Sequence, residues 1–452
     1  MMVRSKLLAA IAVPFMLASA PALAEPDYAA AIRADWDANL AATYDYFHRN
    51  PELSFREFNT AARMAKELRA IPGIVVTEKV GGTGVVGVMK NGAGPTVMIR
   101  ADMDGLPVEE TSGLVNASKA RQVGVDGKDS PVMHACGHDT HITGMIATAK
   151  RLAAMKQRWA GTIVFVVQPA EEALGGAKLM VEDGIYTRFP KPDYALAYHV
   201  GAELATGKVS GSEDIQYSSS DALEITVRGI ATHGASPQLG KDPIYIGTQI
   251  VQALQGIISR EKGPLTPGVI TVGAFNAGNR PNIITDRADL LVTVRANDEV
   301  TRAQLIASIR RVAEGIGRAN GLPDALLPVV KVTAGTPTTI NDRALAQRIN
   351  AAFKRELGAA SVTPWEQKGM GAEDFAYFVS ADTKVPGFYF AVGGTPQAAF
   401  DAEKNGGPAV AGHHSGLFKV DGRAAVTTGA TAMTVAVMEL LGTKRGAAAG
   451  GQ

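Results

Sequence analysis

Cysteine is nearly missing from this sequence: Cys136 stands alone among 452 residues. An intrachain disulfide is therefore excluded, and the fold must hold by burial and hydrogen bonding. Neither sign of charge is in excess, with 45 basic and 44 acidic residues for a net +1. That balance gives no electrostatic footprint for nucleic acid or an anionic membrane. Past the amino terminus no run of about 18 apolar residues occurs, so a soluble mature chain is expected. There is no internal repeat, which excludes solenoids. Neither GxSxG nor HExxH is present, which disfavours serine-hydrolase and thermolysin-like chemistry. What remains is ordinary globular composition, 46% hydrophobic and 20% charged, in a chain long enough for two or three domains.

Residues 1–24 stand apart. Arg4 and Lys6 precede an apolar stretch from Leu7 to Leu17, and Ala22-Leu23-Ala24 is a small-x-small cleavage site. This pattern predicts a secretory signal peptide and an exported, periplasmic or secreted protein. Cleavage there would leave a mature chain of net charge about −1. A lone thiol in an oxidising compartment is either buried and inert or held as a metal thiolate.

From residue 27 to 215 helical and strand patterns alternate. Helices are expected over Asp35–Arg49, Phe58–Arg69 and Ile142–Met155. Strands are expected over Val85–Lys90, Thr96–Arg100, Thr162–Gln168 and Tyr194–His199. This alternation predicts an α/β catalytic domain, with helices on both faces of a mainly parallel sheet. Residues 216–333 change rhythm to β-α-β-β-α-β, the ferredoxin-like order, which predicts an inserted α+β domain. The expected organisation is a signal peptide at 1–24, a catalytic domain at 25–215 and 334–445, the insertion at 216–333 and a disordered tail at 446–452.

In open α/β sheets ligands bind beyond the carboxyl ends of the strands. The strand at Thr96 runs into Asp102 and Asp104, the strand at Thr162 into Glu171-Glu172, and the strand at Tyr194 ends on His199. Cys136 and His138 lie just before a helix. Thiolate, imidazole and carboxylate converging from separate segments suit zinc or a similar divalent metal. One of the adjacent glutamates can bind metal while the other carries protons, and a cation is expected nearby. Taken singly the residues are bland. Glu171-Glu172 could open a solvated helix, and Cys136 could be a small buried hydrophobe. His134 and His141 read as supporting or surface groups, His48 as structural, and Glu373-Asp374 as a cap on a helix over Phe375–Val379. Gly82-Thr83-Gly84-Val85-Val86-Gly87 matches a dinucleotide fingerprint, but a strand follows where that site needs a helix.

Three segments carry a family likeness: Asp102-Met103-Asp104-Gly105-Leu106-Pro107, Met133-His134-Ala135-Cys136-Gly137-His138-Asp139 and Gln168-Pro169-Ala170-Glu171-Glu172. They resemble the aminoacylase and carboxypeptidase family of two-metal metallopeptidases. Within it they are most similar to the amidohydrolase branch of hippurate hydrolases, bacterial aminoacylases and plant auxin-conjugate hydrolases. The likeness runs from about residue 30 to 443. It implies metal ligation by Cys136, His138, Glu172, His199 and His414, with Cys136 in a bridging place. It also implies that Glu171 is the general base and Asp104 an orienting carboxylate. In this resemblance the insertion is a lid and dimerisation domain. His233 would help stabilise an oxyanion, often in the partner's site, and Asn282 would touch substrate. The implied reaction is hydrolysis of the amide bond of N-acyl amino acids or short peptides, with two divalent ions (zinc, manganese, cobalt or nickel) and a homodimer as the active form. A catalytically silent member that binds metal or ligand is the alternative. A thiol redox protein built on Cys136 would lack a resolving cysteine. Two departures from the family pattern stand out. Ser415-Gly416 replaces the usual Ser-Pro after His414, which makes His413 a rival ligand, and Lys119–Ser130 is long and charged enough to shape a pocket mouth.

Overall fold

The computed structural model describes residues 28–443, so the expected signal peptide and the tail at 446–452 lie outside the described residues. In chain order the strands discussed are β1 (Ile74–Val80), β2 (Gly84–Asn91), β3 (Thr96–Asp102), β4 (Gly161–Gln168), β5 (Tyr194–Ala205), β6 (Val209–Ser210), β7 (Ser219–Arg228), β8 (Gly268–Ala277), β9 (Arg287–Ala296), β10 (Val329–Thr336) and β11 (Gly387–Thr395). A seven-stranded sheet runs β1-β2-β4-β3-β5-β11-β6. Its centre, β4-β3-β5-β11, is parallel, and the strands outside it pair antiparallel.

The central strands are apolar on both faces because both faces are covered. Val97, Ile99, Ile163, Phe165, Leu196 and Tyr198 join a core built with the helices Ala41–Arg49, His138–Ala153 and Gly422–Leu441. Met98, Val164, Val166, Ala195 and Ala197 point the other way, onto Met180, Phe375 and Phe378. Gly422–Leu441 is long and apolar enough to cross a membrane by composition, yet it is mostly buried in the first of these cores.

The second sheet is antiparallel throughout, in the order β8-β9-β7-β10. The helices Pro243–Gly256 and Glu299–Ala319 close a separate core of Leu223, Ile225, Ile246, Ile250, Leu290, Leu305 and Ile309. That is the β-α-β-β-α-β order read from the sequence.

Several local expectations need correction. The first helical stretch starts at Tyr28 and reaches Arg49 through a π-helical turn at Trp36–Leu40. The helix expected from Ile142 begins at His138, because Gly137 in the left-handed region (φ 80°) starts it early. Strand β5 does not end on His199 but continues to Ala205. Lys119–Ser130 forms a hairpin of Arg121–Val123 and Asp129–Pro131. Its Gln122 accepts from Leu53 N (2.7 Å) and donates to the Arg56 carbonyl (3.0 Å), so it braces the 53–56 loop and does not line the metal-site cavity.

Candidate metal centre

Strands β3 and β4 are paired in register as far as Asp102 and Gln168, so the loops that follow leave the sheet at one level. Asp104 lies in the first loop and Glu171-Glu172 in the second. Asp104 accepts from the Glu171 and Glu172 backbone N–H groups (3.1 Å each) and from Ser54 Oγ (2.6 Å). Glu171 and Glu172 therefore sit on a tight turn, not on the solvated helix start their charge alone would suggest.

Cys136 and His138 flank Gly137. A Cβ there would meet Val200 Cγ1 at 2.4 Å, so glycine lets the turn press against β5 beside His199. Cys136 Sγ lies 3.3 Å from His199 Nε2. The His199 Nδ1–H donates to the Val200 carbonyl (2.7 Å), which leaves Nε2 with a free lone pair toward the thiol. The Gly137→Ala change combines a clash with a strained φ and is expected to destabilise by about 2–3 kcal/mol. Bound zinc measured after desalting should fall with it, and full zinc with an unchanged Tm would contradict this account of the turn.

The donors fall into two triads that share the thiol: Cys136, His138 and His199 in one, Cys136, Glu172 and His414 in the other, each with its donor atoms within 4.8 Å of one another. His414 Nε2 is 3.3 Å from Glu172 Oε2. Between the rivals, His414 faces Glu172, while His413 donates from Nε2 to the Val200 carbonyl (2.9 Å). The His414 backbone N–H is tied to the Ala135 carbonyl at 2.9 Å. Gly416 is needed where it stands: a Cβ there would meet the Glu109 carbonyl oxygen at 2.5 Å.

Divalent metal fits this donor set. Among the described residues His138 Nε2 and Glu172 Oε1 are buried without hydrogen-bond partners, while His138 Nδ1 faces Asp104 Oδ1 at 3.4 Å, a costly arrangement unless something binds the unpartnered atoms. His138 Nε2 is 3.8 Å from Glu172 Oε1 and 4.0 Å from Glu171 Oε2. Burial, followed by the field of Glu373 and then Glu172, pushes the Glu171 pKa well up. Burial lifts Glu172 to about 7. Burial opposes charge on His138, yet Asp102, Asp104 and Glu172 together raise it to about 10. Without metal these groups hold protons near neutrality, and metal binding must release them. Zinc affinity, measured by calorimetric titration, should therefore tighten at least about tenfold from pH 6 to pH 8. A flat profile would contradict this charge assignment.

The supporting groups are engaged otherwise. His141 donates from Nδ1 to Asp102 (2.6 Å) and accepts at Nε2 from the Val200 N–H (2.8 Å), which occupies both nitrogens. His134 is buried, with neither nitrogen bonded among the described residues, so it is not a surface group. His48 is buried between Asp139 (2.7 Å) and Glu110 (3.3 Å). Burial opposes its charge, but hydrogen bonding to the two carboxylates lifts its pKa to about 10.

Glu373-Asp374 proves to be more than a helix cap. Glu373 does accept from the Phe375 N–H (2.8 Å), but its main partner is Arg100, fully buried in β3. Arg100 donates to Asp102 (2.7 Å), Glu373 (2.7 Å), Gln168 (2.7 Å) and Asp374 (3.3 Å). Glu373 and Asp374 in turn lie within 4.8 Å of Glu171. This is the expected cation beneath the carboxylates.

A cavity of about 420 Å³ opens over the centre. Cys136, Glu171, Glu172, His199, His413 and His414 line it, together with the wall residues Tyr217, Arg295 and Trp365. Nothing local in the sequence marked these wall residues. His233 and Asn282 are not brought to it. They lie exposed on the inserted unit, joined where Gly234 N donates to the Asn282 carbonyl (2.8 Å).

Residues 98–405 match peptidase family M20/M25/M40. The chain belongs to this family. It is 38% identical over 334 residues to a hippurate hydrolase of Campylobacter jejuni, covering 73% of this chain and 82% of that one. It is 36% identical over 350 residues to thermostable carboxypeptidase 2 of Saccharolobus solfataricus, covering 76% and 83%. The fold matches the Bacillus subtilis YXEP protein, a dinuclear metal binding peptidase of family M20, at a TM-score of 0.71 and 28% identity, over 91% of this chain and 99% of that one.

Proposed function

We propose that this M20 family member hydrolyses the amide bond of small N-acyl amino acids or short peptides, with two divalent ions held by Cys136, His138, Glu172, His199 and His414. One observation carries the reading: two donor triads share Cys136, while Glu171 belongs to neither and stands beside them, grouped with His138 and Glu172. The hippurate hydrolase and carboxypeptidase relatives support the substrate class. So does the cavity, which suits a small molecule and carries the Arg295 guanidinium as a partner for a substrate carboxylate.

Divalent ions bound there would polarise the amide carbonyl and acidify a water. Glu171 takes the proton of the attacking water and delivers it to the departing amine nitrogen. Asp104 keeps Glu171 in place through its backbone N–H. His233 and Asn282, exposed and away from their own cavity, are read as completing the site of a second copy in a homodimer. Residues 1–24 are read as a cleaved export signal, and the mature chain as periplasmic or secreted.

The test is amine release from a panel of N-acetyl, N-benzoyl and N-indolylacetyl amino acids and dipeptides by metal-loaded protein. Turnover of some members is expected. Metal-replete protein that cleaves none would overturn the reading.

A further inference from the structure

The Glu171-Glu172 turn is strained. Ala170 has φ 48° and Leu174 φ 51°, left-handed values that a Cβ disfavours. Ala170 is fully buried, so solvent does nothing to steady it. Three consecutive backbone N–H groups of this turn end on two carboxylates. Those of Glu171 and Glu172 go to Asp104, and that of Ala170 goes to Glu57 Oε1 at 2.8 Å.

Glu57 is itself fully buried and has no cationic partner within hydrogen-bond reach among the described residues. The same Oε1 accepts the backbone N–H of Phe55 (2.8 Å), another residue held left-handed at φ 64°. Its Oε2 accepts from Thr83 Oγ1 (2.6 Å), in the glycine-flanked segment that resembled a nucleotide fingerprint. The Phe55 ring lies over the far end of the turn, 3.5 Å from where a Cβ on Gly175 would stand. A buried carboxylate used only for backbone N–H groups and one hydroxyl is expensive to bury. Here it joins two strained loops directly behind the catalytic glutamate.

We propose that Glu57 is a positioning residue, whose carboxylate holds Ala170 left-handed and so aims Glu171 and Glu172 into the metal cavity. This rests on reading Glu171 as base and Glu172 as ligand. A Glu57 that served only stability would lower Tm and leave the kcat and metal affinity of folded protein unchanged. A Glu57 that aims the turn makes kcat and metal affinity fall together while KM holds. It also makes the defect depend on the side chain at 170, because glycine adopts the left-handed region without strain.

The experiment compares Glu57→Ala, Glu57→Gln, Ala170→Gly and Glu57→Ala/Ala170→Gly. Each is followed by kcat and KM on the best panel substrate, by calorimetric titration of metal-free protein with zinc, and by Tm. Glu57→Ala should lose about 10²-fold in kcat with KM within about threefold, the loss expected of a displaced catalytic group. Its zinc affinity should fall about tenfold or more. Glu57→Gln keeps an acceptor oxygen, and it and Ala170→Gly should each stay within about threefold of wild type in kcat. The double variant should recover at least about tenfold of the kcat lost by Glu57→Ala. Folded Glu57→Ala with wild-type kcat and zinc affinity would overturn the proposal, as would a double variant no better than Glu57→Ala. Should Glu57→Ala not fold, Glu57→Asp carries the same comparison, since it keeps the charge and withdraws the acceptor by one methylene. If wild-type protein cleaves nothing in the panel, the hydrolase reading fails, and the zinc titrations still decide whether Glu57 aims Glu172.

Discussion

Glu171→Gln should abolish nearly all turnover and leave the metal in place. Glu171 belongs to neither triad that shares Cys136, so its loss removes no donor from either. The glutamine backbone N–H can still reach Asp104, which holds the native Glu171 at 3.1 Å, so the turn keeps its shape. What disappears is the proton acceptor. Proton transfer by a placed side chain contributes about 10²–10⁴-fold, and a base acting on both attack and departure belongs at the upper end. Stability should move the other way. Burial, and after it the field of Glu373, Glu172 and Asp374, pushes the Glu171 pKa well up. A neutral amide avoids both the desolvation and the repulsion, so metal-free Glu171→Gln should melt no lower than wild type. Lost turnover with full metal content and an undiminished Tm is the expected signature. Turnover within tenfold of wild type would remove Glu171 from the chemistry.

Arg100→Met should produce the largest loss of stability. Its guanidinium is wholly buried and bridges Asp102, Glu373 and Asp374. Methionine matches the stem but leaves three buried carboxylates without their cation. Breaking a buried ion pair on one side costs about 3–5 kcal/mol. Arg100→Lys should recover little, because an ammonium cannot reproduce the fork that meets several acceptors at once. Arg100→Met/Glu373→Gln should regain part of the loss by removing one stranded charge. Denaturant titration measures all three, and Arg100→Met with a wild-type midpoint would mean the carboxylates are not held by Arg100.

The parts of this molecule legible in the sequence were those written in short stretches. Continuous apolar runs revealed β3 and β4 because both faces of those strands are covered. The inserted sheet was readable from the order of its periodicities. That Cys136, His138 and Glu172 converge was readable because they lie near one another along the chain or at predicted strand ends. His199 joins them for a reason other than the one expected: its strand continues past it, and Gly137 bends the Cys136 turn onto the strand's flank. Glu373 was misread because its decisive partner, Arg100, is 273 positions away. A signal did exist, since a lone arginine inside the apolar stretch Thr96–Ala101 needs buried acids. The hairpin at Lys119–Ser130 was charged enough to suggest a pocket mouth, but its contacts run to the 53–56 loop, which no local pattern announces. Glu57 escaped notice because its function is written in the backbone angles of Ala170 and Phe55.

On the proposed function, two metal ions at the shared-thiol centre are required for amide hydrolysis. Titrating zinc or manganese into chelator-stripped protein while following amine release tests it most directly. Stripped protein should show no turnover, and the rate should reach a plateau at two equivalents per chain. Full turnover by stripped protein, or a rate indifferent to added metal, would contradict it.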